Sequence, residues 1–470
     1  MSINSIFRGR IQRIHLVGIG GIGMSGIARV LIASGFKITG SDLHESSETL
    51  NLRALGAQIF IGHDQKHVGD AQLMVYSSAI KPDNPELAWA REHHIPIIPR
   101  ALMLAELMRL RCGIAVAGTH GKTTTTSLIG TLMHGLGLDP TVVIGGIVNH
   151  FGTNAIVGLS QFMVTEADES DGTFLHLSPT IAVVTNIDAD HLDFYQGGLE
   201  QIREQFALFL DSLPFYGLAV LCVDDPEIQK IVGSLNRRIA TYGFNPDALY
   251  SARNVKTQAF ATSFDLYKQG NFVCNFITHM VGDHNILNTL AAIAVLEELG
   301  IEAPQLAPAL TLFNGVKRRF TPVCVNKNFM VIDDYAHHPT EIKAVLKAAR
   351  KSFSQQKIRV LFQPHRYSRT QDLMHEFSGC FSDCDSLVIT DIYAAQEQPI
   401  VGITSEVLIQ KIEETTKFRA LHAKNIEEGA HKIAELTEKN DVVLTLGAGS
   451  ITSAGPKIVA LLEQIHGAWL

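Results

Sequence analysis

Apolar residues fall in short clusters, broken by glycine-containing turns and by stretches with helical spacing. Arg13–Gly18, Phe36–Ser41, Gln58–Ile61 and Leu73–Ser78 read as strands, with helical periodicity over Ser25–Ser34 and Ser47–Leu55 between them. The segment Pro85–Pro99, with three prolines and a histidine pair, closes this block, and a helix over Ala101–Leu110 leads into the next. The second block has strands at Gly113–Gly118, Gln161–Glu166, Thr180–Ile187 and Gly217–Val223. Thr257–Lys268 and Asn271–His279 then alternate apolar and polar positions, which predicts an antiparallel hairpin, and a helix over Asn285–Leu299 follows. The third block starts near Phe320–Pro322, with strands at Phe329–Asp333, Ile358–Gln363, Ser386–Asp391 and Val442–Leu446. Strands that alternate with helices predict parallel sheets. The expected class is therefore α/β, in three domains at 1–110, 111–319 and 320–470.

Length agrees with this division: 470 residues at roughly 150 per domain give about three. Hydrophobic residues make up 46% of the chain, so whole-chain disorder is excluded. The net charge is −8 and no basic run interrupts it, which argues against binding of duplex nucleic acid or of an anionic membrane. The six cysteines form no CxxC pair, and Cys380 and Cys384, four apart in a predicted helix, read as small apolar residues. The start MSINSIFRGRIQRIHLV has three arginines before any apolar run and does not read as a signal peptide. Ile14–Ala33 is apolar enough to suggest a membrane span, but its glycine cluster and Arg29 fit a strand-turn-helix better. A cytoplasmic protein with no membrane partner is expected, as a monomer or weak homodimer.

Two glycine-rich turns carry the chemistry. Gly18-Ile-Gly20-Gly21-Ile-Gly23 lies between a strand and a helix, with Asp42 ending the second strand. Such glycines let backbone approach a diphosphate at a helix N-terminus, so the motif specifies a diphosphate better than it specifies NAD. Gly118-Thr119-His120-Gly121-Lys122-Thr123, followed by Thr124, joins another strand to another helix. Here Lys122 would reach the β/γ-phosphates and the Thr123 hydroxyl a Mg²⁺ ion, although Val116 stands where the first P-loop glycine would be. Glu166 ends a neighbouring strand, and Asp188, Asp190 and His191 follow another, at the edge where metal ligands would belong. Asp168, Glu169 and Asp171 serve equally well as metal ligands or as helix caps and solvated loop residues.

Other strings are less specific. His284-Asn285-Ile-Leu-Asn288 opens a helix whose two asparagines could read an adenine edge, or simply cap the helix. Lys317-Arg318-Arg319 sits at a domain seam, where an arginine can reach a phosphoryl group. Asp333-Asp334-Tyr335-Ala-His337-His338-Pro339 ends a strand but has no structural-zinc spacing. Arg366 and Arg369 in Pro364-His365-Arg366-Tyr-Ser-Arg369 suit a carboxylate or phosphate. Gly447-Ala-Gly449-Ser450 reads as a structural turn.

In order over nearly the whole chain, the glycine-rich start, GTHGKT, TEADESD, NIDADHLD, GDHNILN, DDYAHHPTE and PHRYSRT resemble the Mur ligase family. GIGGIGMSG and PHRYSRT favour its alanine-adding member over the one that attaches a recycled tripeptide. The resemblance implies an N-terminal Rossmann-like UDP-sugar domain, a central P-loop-type ATPase domain with an extra hairpin, and a Rossmann-like C-terminal domain. It places the UDP-sugar at Gly18, Gly20, Gly21, Gly23, Met24, Ser25, Asp42, Ser77 and Ser78. It places ATP at Gly118, Thr119, His120, Gly121, Lys122, Thr123, Thr124, Asn285, Asn288 and Arg319. Mg²⁺ or Mn²⁺ would lie on Thr123, Glu166 and His191, with Lys122, Glu166, His191 and Arg319 as the catalytic set. Tyr335, His337, Arg366 and Arg369 would hold the amino acid. Several sister ligases place a carbamylated lysine sixteen residues after the Asp of the Asp-His pair; here that position is Phe206.

The implied reaction is ATP-dependent ligation of L-alanine to the lactyl carboxylate of UDP-N-acetylmuramate through an acyl phosphate, a step of peptidoglycan precursor synthesis. Sites divided among three domains imply closure that keeps water from the acyl phosphate. The rivals are a relative adding another amino acid or a tripeptide, an NAD-dependent dehydrogenase, and a nucleotide-binding assembly module. GTHGKT argues against a dehydrogenase, which needs no grip on a γ-phosphate. The module lacks a helical repeat array to support it.

Overall fold

The computed structural model describes residues 11–145, 153–190, 192, 194–416 and 418–466. These form two compact units: Met1–Arg253 with Asp265–Phe276 and Leu287–Asn314, and Asn254–Phe264 with Ile277–Ile286 and Gly315–Leu470.

The first unit contains a five-stranded parallel sheet in the order Gln58–Ile61, Lys37–Asp42, Arg13–Val17, Leu73–Tyr76, Ile97–Pro99. Ile14, Leu16 and Val17 of the central strand are buried because both faces are covered, as a parallel sheet requires, and His15 is buried among them. Pro85–Pro99 is more ordered than its prolines suggest. Pro85 starts a helix, Pro85–Glu92, at a position where a missing N–H costs nothing, and Pro99 ends a strand at the sheet edge.

The larger sheet has ten strands. At its centre Cys112–Ala117 runs parallel to Phe162–Glu166 on one side and Ile181–Val184 on the other. Leu218–Cys222 and Arg238–Gly243 extend it in one direction, and Thr141–Val143 and Ala155–Ile156 in the other. The expected hairpin is present, with its first arm divided into Tyr250–Gln258 and Ala261–Lys268, beside Asn271–Thr278. Helix Ile22–Ala33 packs on the short strands of the larger sheet, where Gly26 leaves room for Val143 and Ala155.

The second unit carries a six-stranded sheet: Thr321–Val325, Phe329–Asp334, Asp441–Leu446, Ile358–Phe362, Ser386–Thr390, Ala420–Ala423. Only the first pair is antiparallel. Its two faces bury separate apolar clusters, one of which takes in Cys380 and Cys384 as apolar fillers. Among the described residues no helix is long and apolar enough to cross a membrane.

Phe206 lies on the inner face of helix Gly198–Asp211, fully buried and edge-on to Phe174 at 5.3 Å between ring centroids. A lysine there would have to bury its charge. Phe206→Ala is expected to cost about 3–5 kcal/mol, read as a lower urea midpoint, and Phe206→Lys at least as much.

Candidate active site

The turn after strand Cys112–Ala117 is fixed by its neighbour. Gly118 has φ +127°, and a Cβ there would stand 2.1 Å from Thr185 Oγ1. Gly121, at φ +87°, would put one 2.8 Å from Asn288 Oδ1. Only glycine fits either position. Thr185 Oγ1 and Asn186 Nδ2 donate to the His120 carbonyl at 2.6 and 2.9 Å, and the His120 N–H donates to Asn186 Oδ1 at 2.8 Å. His120 Nε2 lies 3.1 Å from Asp188 Oδ2, and the Asp188 N–H donates to Thr119 Oγ1 at 2.9 Å. The loop is thus held from the next strand end, leaving helix Lys122–Gly135 to open beside it.

Lys122 is largely buried. Its Nζ donates to the carbonyls of Gly118 and Thr119 at 2.7 and 3.2 Å and to both Glu169 oxygens at 3.0 and 2.7 Å. Burial would push the ammonium down, but Glu169, Asp168 and Glu166 outweigh it and hold Lys122 above the ordinary lysine value. Glu166 accepts the Gly145 N–H at 2.7 Å and a bond from Thr123, yet burial dominates and raises its carboxyl. Asp168 moves the other way: burial is outweighed by Lys122, Ser170 and Arg100. Three carboxylates converge on one lysine at the ends of two strands. That oxygen-rich, negatively biased set fits a hard divalent cation, with the Thr123 hydroxyl beside it. Thr124 is buried behind the loop. His191 lies outside the described residues.

Two more side chains complete this corner. Glu169 is buried rather than a loop cap. Arg100 lies so close to Gly23 that a Cβ there would meet its Nη1 at 2.8 Å, and it also acts on Asp168.

In the smaller sheet, the N–H groups of Gly18 and Ile19 donate to the Ser41 carbonyl at 2.8 and 3.0 Å, and that of Gly20 to Asp42 Oδ2 at 2.8 Å. Asp42 therefore supports the loop. Gly21 faces solvent, and a Cβ on it would meet only the Gly18 carbonyl, at 3.5 Å. Met24 and Ser25 turn inward. The Ser25 hydroxyl donates to the Ile22 carbonyl at 3.0 Å and accepts from Asn154 Nδ2 at 2.9 Å. Their side chains thus serve packing. Ser77 stands against Gly18, and Ser78 is exposed. Helix Asp283–Glu298 carries both asparagines: Asn285 Nδ2 donates to the Val281 carbonyl at 2.8 Å, and Asn288 is buried against Gly121.

In the second unit, Arg318 and Arg319 stack over the Tyr335 ring at 5.0 and 5.1 Å. Arg318 also binds Asp333 and the Gly447 carbonyl, so the Gly447 turn anchors an arginine. The Tyr335 and His337 rings are 5.2 Å apart, and His337 is 5.9 Å from His365. Arg366, at φ +71°, donates its N–H to the Tyr393 carbonyl at 2.8 Å, with Arg369 one turn later on helix Tyr367–Asp372. Burial, with Arg369 and Arg366, pushes His365 down to about 4, so its ring is neutral at pH 7. His338 caps helix Pro339–Ser352, its Nδ1 accepting the Thr340 N–H at 3.3 Å.

Burial also raises the Asp334 carboxyl to about 6. A carboxyl raised on folding binds its proton more tightly in the native state, so stability falls as pH rises from its unfolded value towards 6. Asp334→Asn should abolish a loss on the order of 3 kcal/mol between about pH 4 and 6, measured by urea unfolding.

Family models for the Mur ligase family, catalytic domain, the Mur ligase middle domain and the Mur ligase, glutamate ligase domain match residues 13–111, 116–296 and 318–449. A UDP-N-acetylmuramate–L-alanine ligase of Trichlorobacter lovleyi is 49% identical, covering 97% of this chain and 100% of the relative. That of Geobacter sulfurreducens is 48% identical, covering 98% and 100%. The crystal structure of the UDP-N-acetylmuramate–alanine ligase of Thermotoga maritima superposes with a TM-score of 0.80 at 29% identity, over 96% of this chain and 99% of that one. A murein peptide ligase of Psychrobacter arcticus has the same fold at a TM-score of 0.68 and 22% identity. The chain belongs to the Mur ligase family.

Proposed function

We propose that the protein is an ATP-dependent carboxylate–amine ligase that joins L-alanine to the lactyl carboxylate of UDP-N-acetylmuramate, releasing ADP and phosphate. The observation that carries this reading is the buried corner where Lys122 meets Glu166, Asp168 and Glu169 at the mouth of a glycine turn, in a chain related over its full length to ligases of that name.

A carboxylate is a poor acyl donor. The lactyl carboxylate oxygen attacks the γ-phosphorus, the bond to the bridging oxygen of ADP breaks, and an acyl phosphate forms. Lys122 exchanges its Glu169 and loop-carbonyl partners for phosphate oxygens and neutralises the charge that spreads over them. Thr123 and Glu166 would hold Mg²⁺, which supplies Lewis-acid neutralisation of the same phosphates. The neutral amine of alanine then attacks the acyl carbon, phosphate leaves, and the amine proton passes to solvent or base. Gly18–Gly23 takes the UDP diphosphate at the start of helix Ile22–Ala33. Arg319 is assigned to phosphoryl contact, and Tyr335, His337, Arg366 and Arg369 to the amino acid, whose carboxylate an arginine fork suits. The working boundaries are 1–110, 111–319 and 320–470. ATP and UDP-sugars are cytoplasmic metabolites, and we place the reaction in that compartment.

Phosphate release with ATP and Mg²⁺ is expected only when UDP-N-acetylmuramate and L-alanine are both present, with a product at the mass of the joined pair. Release with D-glutamate or a tripeptide in place of L-alanine would change the acceptor and keep the family. Lys122→Ala should lower turnover at least about 10²-fold with an unchanged circular dichroism spectrum, since it removes a charge aimed at the transition state. Normal turnover in that variant would sink the ATP site.

A further inference from the structure

Glu86 has no part in the reaction just described, yet it is the most enclosed carboxylate of the smaller domain, with none of its surface exposed. It lies in the first turn of helix Pro85–Glu92, where an acidic residue ordinarily faces water and complements the helix dipole. Instead it points beneath the sheet edge. Its Oε2 accepts the Ser41 hydroxyl at 2.5 Å and stands 3.2 Å from His63 Nδ1 and 3.8 Å from His15 Nε2. Its Oε1 is 3.2 Å from His67 Nδ1. Around Glu86, then, His15 comes from strand Arg13–Val17 and Ser41 from strand Lys37–Asp42. His63 comes from the segment after Gln58–Ile61, and His67 from the short turn Gln65–His67, stacked on Phe60. His15 is itself fixed by Thr39 Oγ1 at 2.8 Å.

A buried carboxylate is a poor way to stabilise a core, because an apolar residue of similar size often does as well or better. What it does well is fix a hydrogen-bonded partner in one place. That partner is Ser41, whose carbonyl takes the N–H groups of Gly18 and Ile19, while the next residue, Asp42, takes that of Gly20. Three successive amides of the glycine loop thus hang from the strand end that Glu86 grips.

We propose that Glu86, acting through Ser41, is a positioning residue for nucleotide-sugar binding. The proposal rests on assigning Gly18–Gly23 to the UDP diphosphate. Burial is outweighed by His15, the Ser41 hydroxyl and His63 around it, which together hold the Glu86 carboxyl below the usual range.

The test is steady-state kinetics of Glu86→Gln and Ser41→Ala in the full chain, with each substrate varied in turn. In both variants KM for UDP-N-acetylmuramate should rise about tenfold, while kcat and KM for ATP and L-alanine stay within about twofold. Ser41→Ala keeps the main-chain bonds to the loop, so it answers the question even if Glu86→Gln fails to fold. An unchanged nucleotide-sugar KM in Ser41→Ala, or an equal rise for all three substrates, overturns the proposal. Calorimetric titration of UDP-N-acetylmuramate separates this failure from that of the underlying assignment. No binding to the wild type, or no weakening in Gly21→Val, removes the assignment. Weakening in Gly21→Val but not in Ser41→Ala removes only the role of Glu86.

Discussion

Charge has to be neutralised where Lys122 is buried, and much of the first unit is arranged around that requirement. An ammonium without partners at the end of three parallel strands would be expelled or neutralised. Here it is retained because Glu166, Asp168 and Glu169 arrive at the same edge from the end of the adjacent strand Phe162–Glu166 and the loop after it. Parallel register makes the meeting possible: Val116 is level with Glu166 and Ala117 with Val184, so three turns open side by side. The same edge excess of carboxylate suits a phosphate ligand only together with a cation, which is the pairing that nucleotides bring.

The parts of the fold that were legible in the sequence are those where one local rule decides. Cys112–Ala117 is apolar throughout because both its faces are covered, and its pattern shows that plainly. Arg238–Gly243 and Ala420–Ala423 mix polar and apolar positions and do not stand out, since their place in a sheet comes from neighbours distant in the chain. Pro85 looked like an interruption because a proline that starts a helix and one that breaks it are the same letter. In the site, Gly118, Gly121 and Lys122 were readable since backbone geometry and a single charge define them. Glu169 and Arg100 were not. An acidic residue in a loop acquires its role only when the fold buries it, and Arg100 matters through what it faces across two sheets. Met24 and Ser25 adjoin the glycine motif, and helical rotation turns their side chains into the interior, a placement that the motif alone does not show.

The second unit handles its ionisable groups differently. Tyr335 lies beneath both Arg318 and Arg319, and Asp333 holds Arg318 as well. Two of its rings shift the same way: burial and Arg319 push His284 down to about 4, as burial and the paired arginines do for His365. Arg318, Phe320 and Arg366 all hold left-handed backbone conformations that side-chain-bearing residues seldom adopt. Such conformations persist only where surrounding contacts enforce them. At Arg366 the bond to Tyr393 does so, and at Phe320 the bond to Asp334.

The close approach at Gly118 also has an evolutionary consequence. Any single-base change in a glycine codon that alters the amino acid introduces a residue with at least a β-carbon, and here that atom would lie within bonding reach of the Thr185 hydroxyl. Thr185 would have to shrink at the same time, yet its hydroxyl also ties down the His120 carbonyl. Neither change is passable alone, so the turn is closed to stepwise drift, and a lineage can reshape this nucleotide loop only by altering both strands together.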